Sequence, residues 1–286
     1  MTITRSGLRI RVIDAFTDQP FTGNPAGVCL LEAGDWPDER WMQRVAAEMR
    51  HSETAFARPL PTDAEADWDL RWFTPAVEVD LCGHATLATA HALHADSGRV
   101  GTIRFRSRSG ILPTHTAADG AITLDFPAAQ LTEIADEEEL VAALGTRAEA
   151  AFCTGSLTDA LVVLPDEATV RALRPDLSAL SRWSCERGVR GVIVTAARAD
   201  SRTGHETGYD YVSRFFAPAF DVPEDPFTGS AHTALAPYWS GRLGRAELTA
   251  LQVSERTGMA RTTVAGERVH IAGRAVTVLD GTLTAA

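Results

Sequence analysis

Three short stretches carry the residues that could do chemistry. "SETAF" (52–56) holds Glu53, "DLCGHATLAT" (80–89) holds Cys82, Gly83 and His84, and "PEDPFTGSA" (223–231) holds Asp225, Gly229 and Ser230. Glu53 is followed by Thr, Ala and Phe in what reads as a strand entering the core. Desolvation there raises a carboxyl pKa towards the range useful for acid–base work; the alternative is an edge-strand glutamate facing water. Cys82 directly precedes Gly83 at a helix start, where the end of the helix favours thiolate; the alternative is a small buried hydrophobe. Asp225 is placed to accept from helix-start amides or hold a substrate amine, or simply to cap the helix. Glu224 reads as its solvated neighbour.

Gly83-His84 and Gly229-Ser230 each open a helix. The first N–H groups of a helix lack internal acceptors, and the helix dipole adds positive potential there. Glycine lets a ligand approach closely. Two such starts facing one ligand would grip a carboxylate with no Lys or Arg. Taken singly, a glycine or serine at a helix start is also ordinary capping. His84, His91 and His94 share a helical face, which raises the question of zinc. There is no HExxH, no paired cysteine ligand set and no carboxylate at matching offset, so no metal is expected. The nucleophile-elbow pattern GxSxG is absent too.

These stretches belong to a repeat. "RWFTPAVEV" (71–79) matches "RFFAPAFDV" (214–222) at an offset of 143, with Glu78 on Asp221. Allowing three further residues in the second copy then sets Gly83 on Gly229 and His84 on Ser230. Self-similarity of this kind dictates architecture. It predicts two similar halves, each with a strand, a Pro-containing turn, a Gly-led helix start and a helix. Strands are expected at 9–16, 26–32, 68–74, 102–117, 121–127, 160–165, 191–197, 209–218 and 268–283. A helix over 37–50 shows an apolar stripe at Trp41, Val45 and Met49, and an acidic helix follows within 136–145. The Ala- and Thr-rich helices after Gly83 and Gly229 take little volume, so a sheet can enclose them tightly. The fold class is therefore α+β: two pseudo-symmetric halves, 1–128 (with a C-terminal strand returning to it) and 129–286, each a curved sheet around a central helix, with the site in the cleft between them.

Composition narrows the function. The 286 residues are 45% hydrophobic and 23% charged, ordinary values for a globular chain. A net charge of −11 argues against a nucleic-acid partner. No apolar run is long enough to span a membrane, and the leading "MTITRSGLRIRVIDAF" lacks a signal-peptide core. Four cysteines at 29, 82, 153 and 185 form no disulfide pattern, which points to a reduced, cytoplasmic setting. Cys29, in an apolar strand, reads as core.

Together, "VIDAFTDQPFTGNPAGVCLL", "SETAF", "RWFTPAVEVDLCGHATLATA" and "PEDPFTGSA" resemble the PhzF-like family of phenazine-biosynthesis isomerases, related in fold to diaminopimelate epimerase and proline racemase. The resemblance covers essentially the whole chain. It implies the two-half α+β fold, no cofactor, no metal and a homodimer. It implies that Glu53 is the general acid–base, in the family acting on dihydro-hydroxyanthranilate. It further implies that His84, Asp225 and Ser230 assist and bind substrate, and that Gly83 and Gly229 hold its carboxylate. One departure stands out. Phenazine isomerases tend to carry a small residue where this chain has Cys82, whereas the epimerase relatives have a thiol there paired with a second thiol. Here the second half offers Asp225 and Ser230 instead.

The resulting expectation is a cofactor-independent isomerase or epimerase acting on a small amino or cyclic carboxylic acid. Its site comprises Glu53, Cys82, Gly83, His84, Asp225, Gly229 and Ser230. The alternatives are a thiol-assisted racemase using Cys82 and a non-catalytic protein that binds small acids.

Overall fold

The computed structural model describes residues 7–134, 137–198 and 208–284. Residues 1–6, where the signal-peptide reading begins, and Asp136, the first residue of the expected acidic helix, lie outside these. The chain forms two compact units, Met1–Asp125 with Ala272–Ala286, and Phe126–Ile271.

The first unit contains β1 (Leu8–Ala15), β2 (Asn24–Leu30), α1 (Glu39–Met49), β3 (Glu53–Pro59), β4 (Trp68–Phe73), β5 (Glu78–Val79), α2 (Gly83–Ser97), β6 (Gly101–Ser107), β7 (Gly110–Thr116) and β8 (Ile122–Pro127). Strands β1 and β2 are antiparallel. Strands β2 and β3 are parallel, with Ala26 opposite Glu53. A parallel pair needs a crossover, and α1 supplies it. Asp38 starts α1 by accepting the Trp41 N–H at 3.1 Å. The buried line of α1 is Met42, Val45 and Ala46, with Trp41 and Met49 packed at its margins rather than at its centre. The helix ends at Arg50, which adopts a left-handed conformation (φ 55°) and turns the chain into β3.

Strand β4 runs antiparallel to β3, with Thr54 opposite Phe73. Its far edge is shared. Trp72 pairs with Val79 of β5, while Trp68 pairs with Phe105 of the parallel strand β6. Helix α2 fills the space this creates. Its side chains from His84 to Leu93 are buried on nearly every side, His91 being the half-buried exception. It packs against β1, β2, β3 and β7, which come from distant places in the sheet, so the sheet curls around it. Small Ala and Thr side chains make that enclosure possible. On the opposite face of the sheet, α1 covers Ile10, Cys29, Phe56 and Phe73. Burial pushes the Cys29 thiol pKa up, consistent with a core role.

The second unit contains β9 (Thr132–Glu133), α3 (Glu138–Leu144), β10 (Ala150–Cys153), β11 (Ala160–Val163), α4 (Glu167–Ala172), α5 (Leu177–Arg187), β12 (Val192–Ala197), β13 (Tyr211–Ala217), β14 (Val222–Asp225), α6 (His232–Leu243), β15 (Glu247–Gln252), β16 (Gly258–Ala265) and β17 (Arg268–Gly273). The chain closes with β18 (Ala275–Leu283), antiparallel to β1 from Leu8 opposite Leu283 to Ala15 opposite Ala275. Helices α4 and α5 are absent from the sequence expectation. Each begins at an aspartate cap, Asp166 to the Thr169 N–H (2.7 Å) and Asp176 to the Ala179 N–H (3.0 Å). The segment between them and the strands is polar enough to read as loop; only Val170 of α4 and Leu180, Trp183 and Ser184 of α5 are buried.

The internal repeat extends to strand register. β11 and β12 are parallel like β2 and β3, Val192 faces Phe216 as Thr54 faces Phe73, and Phe215 faces Asp225 as Trp72 faces Val79. Tyr211 of β13 pairs with Ala250 of parallel β15 as Trp68 pairs with Phe105. The same comparison corrects one sequence match. Arg71 forks onto Glu78 (2.7 and 2.6 Å), and Arg214 forks onto Glu224 (2.8 and 2.8 Å). The counterpart of Glu78 is thus Glu224, not Asp221, and Glu224 is a paired ion rather than a solvated neighbour. The extra residues form the single 3-10 turn Pro218–Phe220, closed by left-handed Asp221 (φ 59°).

Candidate active site

In the first unit the site is built at the points where β2, β3 and α2 begin. Gly23 lies in the left-handed region (φ 67°), and a Cβ there would sit 2.2 Å from the Ala15 carbonyl oxygen, so only glycine allows the chain to enter β2 at this angle. The next residue, Asn24, is fully buried and accepts a hydrogen bond at its Oδ1 from the Ser52 hydroxyl (3.3 Å). The left-handed turn at Arg50 delivers His51, Ser52 and Glu53 to the start of β3. Helix α2 begins after Cys82, whose backbone is extended (φ −147°, ψ 108°). Its hydrogen-bond ladder begins with the Thr86 N–H to the Cys82 carbonyl (3.2 Å), so the Gly83 and His84 amides precede that ladder.

His84 joins these pieces. Its Nε2 lies 3.4 Å from Glu53 Oε2 and 3.3 Å from the Ser52 hydroxyl, and its Nδ1 lies 3.4 Å from Cys82 Sγ. Burial, reinforced by nearby His51, pulls its pKa down to about 3, so the ring is neutral through the ordinary pH range. A neutral imidazole has one N–H and one acceptor nitrogen. The partners assign them: Nε2–H donates towards Glu53 and Ser52, and Nδ1 accepts the Cys82 S–H. Cys82 makes no side-chain capping bond; its thiol turns to the imidazole.

Glu53, Cys82 and His84 each bring a ligand-type atom, all within 4.8 Å of one another. They are strung along the two sides of one ring. A tetrahedral zinc site takes a single nitrogen per imidazole and gathers its donors at about 2.0–2.3 Å from one centre. Thiol–imidazole–carboxylate in series matches a proton path better than a metal cage. The other two histidines of α2 do not join it: His91 pairs with Thr277 (3.2 Å) and His94 with the Arg99 carbonyl (2.9 Å).

In the second unit, the equivalent helix start is a 3-10 turn, Gly229–Ala231, running into α6 at His232. The flanking residue is Thr228, whose hydroxyl donates to the Asp225 carboxylate, so Asp225 bears on the turn through that residue. Gln252 fixes the segment further, accepting the Thr228 N–H (2.9 Å) and donating to the Asp225 carbonyl (2.7 Å). His232 is buried against Phe227 with ring centroids 4.8 Å apart, and burial lowers its pKa to about 4.

Ser230 has a partner that the sequence did not reveal. Arg190 Nη2 donates to its hydroxyl oxygen at 3.0 Å. Arg190 also forks onto Asp159 (2.9 and 2.5 Å), which is almost completely buried. The expectation of a clamp without Lys or Arg is therefore corrected: an arginine stands at the second helix start. Asp159 and Arg190 are 31 residues apart and sit in no motif; strand register alone joins them. Ser52 and Asn24 were missed for the same reason, although Ser52 lies beside Glu53.

Comparison with known proteins agrees with this architecture. Residues 13–281 match the phenazine biosynthesis-like protein family. An uncharacterised isomerase from Pseudomonas aeruginosa is 45% identical over 277 residues, covering 96% of this chain and 98% of its own. A PhzF-family phenazine biosynthesis protein from Enterococcus faecalis has a crystal structure that superposes with a TM-score of 0.85 at 39% identity, over 97% of this chain and 99% of that one. A hydroxyproline epimerase from Agrobacterium vitis shares the fold, with a TM-score of 0.63 at 12% identity over 98% and 93% of the two chains. The chain belongs to the phenazine biosynthesis-like family and is an isomerase.

Proposed function

We propose that the protein is a cofactor-independent isomerase that moves a proton within a small amino or cyclic carboxylic acid, with Glu53 as the general acid–base. The observation that carries this reading is the contact of Glu53 with neutral His84 beside the first amides of α2. Substrate carboxylate binds at the Gly83-His84 start, and the Gly229-Ser230 start, with Asp225 nearby, is assigned to carboxylate binding as well. Glu53 takes a proton from a carbon made acidic by that carboxylate or by an adjacent double bond. The electron pair shifts into an enolate-like system, and the proton returns at another carbon, so no atom is gained or lost. Helix-start amides stabilise the developing negative charge. The neutral Nε2–H of His84 orients the Glu53 carboxylate without protonating it. A positioned base of this kind contributes about 10²–10⁴ in rate.

A second reading, a thiol-assisted racemase, is favoured by one contact, Cys82 Sγ to His84 Nδ1. A racemase needs a second base opposite the first, and the register counterpart of Cys82 in the second unit is Thr228. Wild-type protein incubated in D₂O with a panel of small amino and cyclic carboxylic acids tests both readings. Deuterium entering one acid at a position distinct from the site of loss supports the isomerase. Exchange at a single stereocentre with inversion supports the racemase. Binding with no exchange leaves a protein that only holds acids.

A further inference from the structure

The register of the two units equates Thr54 with Val192, because each is paired with the matching phenylalanine, Phe73 or Phe216. Counting back one residue equates Glu53 with Gly191, and two residues equates Ser52 with Arg190. The side chains behave accordingly. Ser52 touches His84, the second residue of the first helix start, at 3.3 Å; Arg190 touches Ser230, the second residue of the second helix start, at 3.0 Å. The pseudo-repeat thus keeps a hydrogen bond between these two places while changing its chemistry from a hydroxyl to a cation.

We propose that Arg190 is a positioning residue for substrate binding, acting through Ser230 and held in place by Asp159. This rests on the proposed carboxylate-binding role of Ser230. Three features support it. Arg190 is fixed from several directions: its side chain forks onto buried Asp159, its N–H donates to the Thr158 carbonyl (2.6 Å), and its guanidinium lies over the Phe215 ring at 5.3 Å. A guanidinium has donors only, so its bond to Ser230 occupies an acceptor site on the hydroxyl oxygen. The Ser230 O–H is thereby available as a donor, which is the polarity a carboxylate requires. Third, the fork geometry cannot be reproduced by lysine, whose single ammonium cannot serve both Asp159 oxygens and Ser230 in the same arrangement. Arg190 therefore specialises the second helix start for anions, whereas Ser52 and Glu53 specialise the first for proton transfer.

The test uses the acid that wild-type protein exchanges fastest in the D₂O panel. Exchange kinetics are measured for Arg190→Lys, Ser230→Ala, the double variant and Ser230→Thr, with melting temperatures recorded alongside. The expected result is a KM raised tenfold or more in Arg190→Lys and in Ser230→Ala, with kcat falling less than threefold. The double variant should be no more than threefold worse than Ser230→Ala, and Ser230→Thr should recover most of the affinity. A KM for Arg190→Lys within twofold of wild type, or losses that multiply in the double variant, overturns the proposal while leaving the isomerase reading intact. If Arg190→Lys does not fold, equal KM values for Ser230→Ala and Ser230→Thr overturn it instead. Absence of exchange with every acid in wild-type protein overturns the isomerase reading, and this proposal with it.

Discussion

Gly191 occupies in the second unit the strand position that Glu53 occupies in the first. The Phe215 ring fills the space a side chain would need: a Cβ on Gly191 would lie 2.3 Å from the phenylalanine Cζ. The duplicated fold therefore presents an acid at this position once.

Gly191→Ala should consequently destabilise the protein. The ring it displaces also supports Arg190. Overpacking of this kind costs about 1–3 kcal/mol. Thermal unfolding checks it, with a lowered melting temperature expected.

Stability should fall on acidification through a window set by His84. In the folded protein its pKa is about 3, against an ordinary value near 6.5. Between those values the unfolded chain binds a proton that the folded chain does not, so stability present above about pH 6.5 is lost as pH falls towards 3. The slope from one such group is up to about 1.4 kcal/mol per pH unit. Buried His232, lowered to about 4, adds to it in the same direction. His84→Gln should flatten the decline in melting temperature between pH 6.5 and 4.5. Parallel curves for variant and wild type would argue that His84 titrates normally.

Cys82→Ala should slow exchange about two- to tenfold without abolishing it. It removes the S–H that fixes the His84 tautomer, a hydrogen bond worth about 0.5–1.5 kcal/mol. Rates measured by mass spectrometry on the responsive acid check this. Complete loss with unchanged folding would instead make the thiol an essential acid or base.

Much of the site was legible because it sits in local motifs. Glu53, Cys82, Gly83 and His84 announced themselves by residue type and by the small-residue helix that follows, and Gly229-Ser230 by the repeat. What the sequence concealed depends on register. Arg190 and Asp159 face each other because β11 and β12 are parallel neighbours, and no spacing in the chain predicts it. Glu224 was misread because a three-residue turn inserted before it shifted the repeat; strand register and its bond to Arg214 restore the match. Helix α4 was hidden by its six-residue length and single buried side chain, whereas α5 is as long as α1 but carries a weaker apolar stripe; the aspartate caps of both are ordinary start signals. The buried stripe of α1 moved by one residue from Trp41 to Met42, within the width that an amphipathic face allows.

The central claim is that the Glu53 carboxylate carries the proton. Glu53→Gln keeps the size of the side chain and its reach to His84, and it removes the base. The rate of deuterium incorporation from D₂O into the responsive acid, measured by mass spectrometry at saturating substrate, should fall at least a hundredfold while the acid still binds. Incorporation at the wild-type rate would contradict the account.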